Sequence, residues 1–294
     1  MKPMIASVGP VLPLPLLRAT GRYRGPLGWN VERPMPFAGE WLESKFPLWA
    51  FSILEDWAAG ALDDLEMVVF SRADDAAQRL YYYVCELQRR GVMSGPQPLI
   101  CDVTLIPRPH GQAHLEAALA RLADRLGVAE EALLRALDEA GSHAPEPPAF
   151  SGPLCLLSGT PPPDRRLHDV AAQAGWRMHG PTLTESWSDM PSVTHEPGES
   201  PFAALARAMR GTTAASRGFR DRNAALAAEV GQTGARAAVL WFTEEDEARI
   251  WDLPGQKRVL EELGVPVLAL TRRDWAARDG AGREITQFLK ETAA

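Results

Sequence analysis

At 294 residues, 46% of them hydrophobic, the chain has room for one large or two ordinary globular domains. Its formal charge is −7, with acids and bases interspersed, which excludes the basic face of a domain built for DNA or RNA. Val8 to Leu17 is apolar but broken by Pro10, Pro13 and Pro15 and too short to cross a bilayer, so the expectation is a soluble, cytoplasmic protein with no membrane partner.

Residues 1–45 are rich in proline and glycine, and the pattern predicts one short helix there, Leu14 to Thr20, ended by Gly21. Leu48 to Ala61 is a second helix, carrying Trp49, Phe51 and Trp57. Met67 to Phe70 has the length and β-branched content of a buried strand. After the polar turn Ser71-Arg72-Ala73-Asp74 a helical period sets in. Ala77, Leu80, Tyr81, Val84 and Leu87 recur at three- and four-residue steps as far as Gly91. Asp74 or Asp75 starts this helix, where orphan N–H groups and the helix dipole favour an acid. Leu99 to Ile106 is the next predicted strand, followed by the turn Pro107-Arg108-Pro109. Gln112 to Leu126 and Ala129 to Ala140 are amphipathic helices.

Ser142 to Gly152 is proline-rich and aperiodic, and reads as a linker between domains 1–145 and 146–294. The second half repeats the alternation. Pro153 to Leu157 is a strand, Asp164 to Ala174 a helix, Trp176 to His179 a short strand, and Gly180 to Ser200 a loop. Helices are predicted over Pro201–Arg210, Arg220–Glu229, Gln256–Leu263 and Arg283–Thr292, with strands at Arg236–Phe242 and Gly264–Leu270. Strand, turn and helix alternating in both halves predicts two parallel-sheet α/β domains, because parallel strands need crossover connections.

Open α/β sheets bind ligands at the carboxyl ends of their strands, which makes three loops candidates. In the first, Ser71, Arg72 and Asp74 follow a strand; helix initiation also accounts for its acids. In the second, Ser158-Gly159-Thr160 offers small residues before a helix, an arrangement that suits an anion or a plain tight turn. The third, Thr243 to Glu247, holds four consecutive acids, most of which must face solvent; Glu245 and Asp246 are candidate acid/base groups. Five arginines between 207 and 222, Arg220 among them, meet only Asp221, which fits a phosphate-bearing ligand or salt bridges between helices. His110 and His114 have helical i, i+4 spacing but no third ligand nearby, so no metal site is assigned. Cys85, Cys101 and Cys155 lie in apolar stretches without ligand spacing and read as buried small hydrophobes.

The order of several segments resembles the 2-hydroxyacyl-CoA dehydratase/benzoyl-CoA reductase family, in the manner of a subunit of its dehydratase component. The segments are Gly9 to Gly21, Phe70 to Tyr83, Leu156 to Gly159, Val239 to Phe242, Lys257 to Leu270 and Arg283 to Phe288. The resemblance implies two Rossmann-like domains facing a central cleft and pairing with a related subunit. It also implies an iron–sulfur cluster held by three cysteines, fed with single electrons by an ATP-dependent activator for radical chemistry on an acyl-CoA. The family's ligand positions fall near Pro47, at Ala73 and near Asp246, and none is cysteine.

The expectation is therefore a cluster-free dehydratase-like subunit or accessory protein that binds no cofactor of its own. An acyl-CoA is the implied ligand and a related cysteine-bearing subunit the implied partner. The alternative is a stand-alone enzyme or small-molecule binding module. In the enzyme, Asp74, Glu245 and Asp246 act as acids or bases, and Ser71, Arg72 and Thr243 orient the ligand.

Overall fold

The computed structural model describes residues 4–106, 108, 110–140, 152–212 and 221–293. In chain order the elements are β1 (Met4–Val8), α1 (Leu14–Ala19), β2 (Tyr23–Pro26), α2 (Pro36–Trp41), α3 (Leu48–Ala58), β3 (Leu65–Ser71) and α4 (Asp75–Arg89). Then come β4 (Gln97–Cys101), α5 (Gly111–Leu126), α6 (Glu130–Ala140), β5 (Leu154–Gly159), α7 (Arg166–Gln173), β6 (Arg177–His179) and α8 (Leu183–Ser188). The last are α9 (Pro201–Met209), α10 (Arg222–Thr233), β7 (Ala237–Thr243), a 3-10 turn at Arg249–Asp252, α11 (Leu253–Glu262), β8 (Val267–Arg273) and α12 (Ala281–Ala293).

Two four-stranded sheets result, in the orders β2-β1-β3-β4 and β6-β5-β7-β8, and every pairing is parallel. Both sheets are flanked by helices, the α/β architecture of two Rossmann-like domains. The strand order is the same in each. Central strands explain themselves by burial on both faces: all seven residues of β7 are buried, as are all of β3 but Glu66. Helix α4 turns Ala77, Leu80, Val84 and Leu87 inward. Its N-cap is Asp74, whose carboxylate accepts the Ala77 N–H at 2.9 Å.

The chain divides into two compact units, Met1–Glu146 with Trp187–Phe219 and Pro147–Ser186 with Arg220–Ala294. Where the sequence reading runs one boundary near residue 145, the segment from Trp187 joins the first unit. Helix α9 explains why, because Ala204, Leu205 and Met209 enter the cluster that holds Leu115, Leu119 and Leu133 of α5 and α6. The linker itself lies outside the described residues except Gly152.

Three local expectations are corrected. The proline-rich opening holds two strands, and β1 is a central one, packed between β2 and β3. The strand predicted to reach Ile106 ends at Cys101, since the Asp102 side chain turns to Arg72 and His114. The loop from Gly180 contains α8, stabilised where Thr182 and Glu185 exchange backbone-to-side-chain hydrogen bonds in a capping box. Trp49 and Trp57 of α3 are buried in the core, with Trp49 edge-on to Trp187 at 4.9 Å between ring centroids. Cys101 and Cys155 are buried as expected, and burial pushes both thiols up to about 12. Among the described residues no helix is long and apolar enough to cross a membrane.

Candidate functional site

In both sheets the strand order reverses at the centre, between β1 and β3 and between β5 and β7. That is the switch point at which open α/β sheets leave a crevice outside the carboxyl ends of the strands.

In the second unit the switch point is built from the loops after β5 and β7. Gly159 ends β5 in register with Trp241, at φ +108, and a Cβ there would lie 2.2 Å from the Trp241 carbonyl oxygen. Only glycine lets the strands approach so closely. The Thr160 N–H donates to that same carbonyl at 2.8 Å, which turns its hydroxyl toward the β7 loop. Thr160 Oγ1 donates to Asp246 Oδ2 at 2.9 Å and lies 3.3 Å from the Thr243 N–H, which donates to it. Arg249 closes the arrangement. Its Nη1 donates to the Gly159 carbonyl at 3.2 Å, and its Nε sits 3.3 Å from Asp246 Oδ2. Asp246 and Arg249 are each 18% exposed in their side chains, so this ion pair is shielded from bulk water.

A second cation joins from α10. Arg222 Nε is 3.3 Å from Asp252 Oδ2, and burial, then the neighbouring Arg249 charge, lower the Arg222 pKa from its usual value. Asn223 stands against Gly255 at the start of α11, where a glycine Cβ would meet its amide nitrogen at 2.5 Å. The side-chain amide oxygens of Asn223 and Gln256 are buried without a hydrogen-bond partner among the described residues, as is Oε2 of Glu245. Burial raises the Glu245 pKa, opposed by a bond to Thr243 and reinforced by Asp274 and Glu244.

The first unit's switch point is also closely packed. Gly9, at φ +94, lies where a Cβ would come within 2.9 Å of Ser71 Cβ, and Val11 two residues on is left-handed at φ 58. Ser71 is fully buried and its Oγ accepts the Ala73 N–H at 3.1 Å. Arg72 is partly exposed and ion-pairs with Asp102, which also lies 3.3 Å from His114 Nε2.

The structure thus brings Gly159, Thr160, Thr243 and Asp246 into one network in the second unit, with Glu245 and Ser158 beside it. Asp74, Ser71 and Arg72 belong to the first unit, where Asp74 caps a helix and Ser71 braces a turn. Arg220 and Arg217 lie outside the described residues. The three described arginines of the 207–222 segment are engaged within their own units. Arg207 ion-pairs with Glu199 and Arg210 donates to the Ile106 carbonyl in the first unit, while Arg222 serves the second. Sequence reasoning missed Arg249 and Asp252. Their one signal is position, since they follow the acidic loop closely enough to fold back on it.

No protein-family model matches the chain, and no curated protein matches it.

Proposed function

We propose that the protein is a cluster-free subunit of a 2-hydroxyacyl-CoA dehydratase-like assembly, pairing with a related cysteine-bearing subunit and binding an acyl-CoA. Two parallel-sheet units of the same strand order support this reading. The observation that carries it is the state of Asp246. Near the position where the resemblance calls for a cluster thiolate, this carboxylate is hydrogen-bonded to Thr160 and paired with Arg249. Ala73 and Pro47, the other two positions, offer no ligand atom in their side chains. Arg222 and Arg249 bring to the same strand ends the planar guanidinium groups that grip phosphate esters, as the diphosphate of an acyl-CoA requires.

The test is anaerobic purification with iron and sulfide analysis, calorimetric titration with coenzyme A and butyryl-CoA, and co-expression with a cysteine-bearing homologue. The expected result is sub-stoichiometric iron, saturable acyl-CoA binding and co-purification. Stoichiometric iron and sulfide, or neither ligand nor partner bound, overturns it.

A second reading draws on Glu245. A half-buried carboxyl with a raised pKa and one unpartnered oxygen is the form a general acid/base takes. In that reading the second unit performs non-redox proton transfer on its ligand. Turnover of an acyl-CoA by the isolated chain, lost in Glu245→Gln with binding retained, distinguishes it from the first.

A further inference from the structure

Helices α7 and α12 pack side by side in the second unit, and a groove runs along their outer side. It consists of two cavities, about 580 Å³ and 510 Å³, that share Val170 and Gly282. Each is the size of a small-molecule pocket. The groove exists because residue 282 has no side chain; a Cβ there would touch Val170 Cγ2 at 3.3 Å, and anything longer would fill the space. Where the cavities meet, the floor is therefore apolar and narrow.

The rim is cationic. Five basic residues line the two cavities against three acidic ones, on a protein whose net charge is −7. Their engagement differs. Arg165 pairs with Glu185, and Arg166 holds Asp164 and the Ala276 carbonyl. Arg283 and Lys290, by contrast, make no ion pair or side-chain hydrogen bond among the described residues, and both are exposed. They stand seven residues apart on one helix, about 10 Å along its axis, close enough for two long side chains to reach one head group. None of the groove's residues belongs to the Thr160–Asp246–Arg249 network.

We propose that this groove binds an elongated amphiphilic anion, its apolar body laid on Val170 and Gly282 and its head group within reach of Arg283 and Lys290. The apolar floor supplies burial and the two cations supply charge complementarity. A neutral amphiphile of the same length satisfies only the first, so the head group decides affinity. A carboxylate and a phosphate ester both meet the requirement.

The test is calorimetric titration of the full chain with dodecanoate, dodecyl phosphate and dodecanol below their aggregation limits. Both anions are expected to bind at least about tenfold tighter than dodecanol, the equivalent of one charge-assisted contact. The tighter of the two identifies the head group, and equal affinity supports the general anion site. The double variant Arg283→Glu/Lys290→Glu, at two exposed positions, is expected to lose about tenfold or more for both anions while keeping its urea midpoint. Gly282→Leu is expected to block all three ligands; if that variant misfolds, the charge reversal alone decides. Dodecanol binding as tightly as the anions, or charge reversal leaving their affinity within about twofold, overturns the proposal.

Discussion

Thr160 and Asp246, 86 residues apart in sequence, are joined by a 2.9 Å hydrogen bond that ties the end of β5 to the loop after β7. The same hydroxyl accepts the Thr243 N–H, so one side chain on the β5 loop satisfies two groups at the end of β7. Replacing it removes the acceptor of a backbone N–H and one of the partners of the Asp246 carboxylate. Thr160→Val is expected to cost roughly 1–3 kcal/mol in urea unfolding. A double-mutant cycle with Asp246→Asn should show a coupling of about 0.5 kcal/mol or more. Additive effects would mean that the two side chains do not act on one another.

Close strand approach at Gly159 sets up a second expectation. Gly159→Ala forces a Cβ onto the Trp241 carbonyl, in a fully buried strand that cannot move aside. Gly9→Ala meets the Ser71 and Ala77 Cβ atoms at 2.9 and 3.0 Å, a milder overlap with side chains. Both carry the left-handed backbone penalty of about 1–2 kcal/mol, and Gly159→Ala should be the costlier by denaturant midpoint.

His168 makes stability depend on pH. Its Nε2 donates to the Gly180 carbonyl at 2.8 Å, while Nδ1 is buried without a partner among the described residues, and burial holds the pKa below that of a free imidazole. The folded state thus prefers the neutral ring. Stability from this group is complete above the unfolded value of about 6.5 and is lost as pH falls through it toward the lower folded value. Urea midpoints measured from pH 8 to pH 5 should fall less steeply in His168→Gln.

Glu245 works in the opposite sense. Burial and the nearby carboxylates raise its pKa, so the folded state binds its proton more tightly than the unfolded chain does. Its effect is absent below the unfolded value of about 4.3 and becomes a cost as pH rises through the folded one. Glu245→Gln should raise the melting temperature at pH 7.5 and leave it nearly unchanged at pH 4. An equal rise at both would assign the gain to packing instead of charge.

Asp74 distinguishes capping from chemistry. Its carboxylate accepts the Ala77 N–H, and asparagine is as good an N-cap. Asp74→Ala should destabilise by about 1 kcal/mol and Asp74→Asn by little. Acyl-CoA binding unchanged in Asp74→Asn would assign the residue to α4 alone.

Much of this architecture was legible in order of appearance. The apolar runs of β3 and β7 and the three- and four-residue steps of α4 are local patterns, and the alternation they form required parallel sheets. β1 escaped because glycine and proline crowd its neighbourhood, although the strand itself, Met4 to Val8, is almost wholly buried. The Ser158–Thr160 and Thr243–Glu247 loops were visible as separate strand ends. Their union was not, because it depends on β5 lying beside β7 in a register that pairs Gly159 with Trp241. The sequence by itself determined the elements with a clear apolar run or period, such as β3, α4 and β7, since these are properties of short stretches. Only the tertiary structure decided that Asp246 answers to Thr160 and Arg249 while Asp74 answers to its own helix, because partners for buried polar groups come from whichever distant strand end packs alongside.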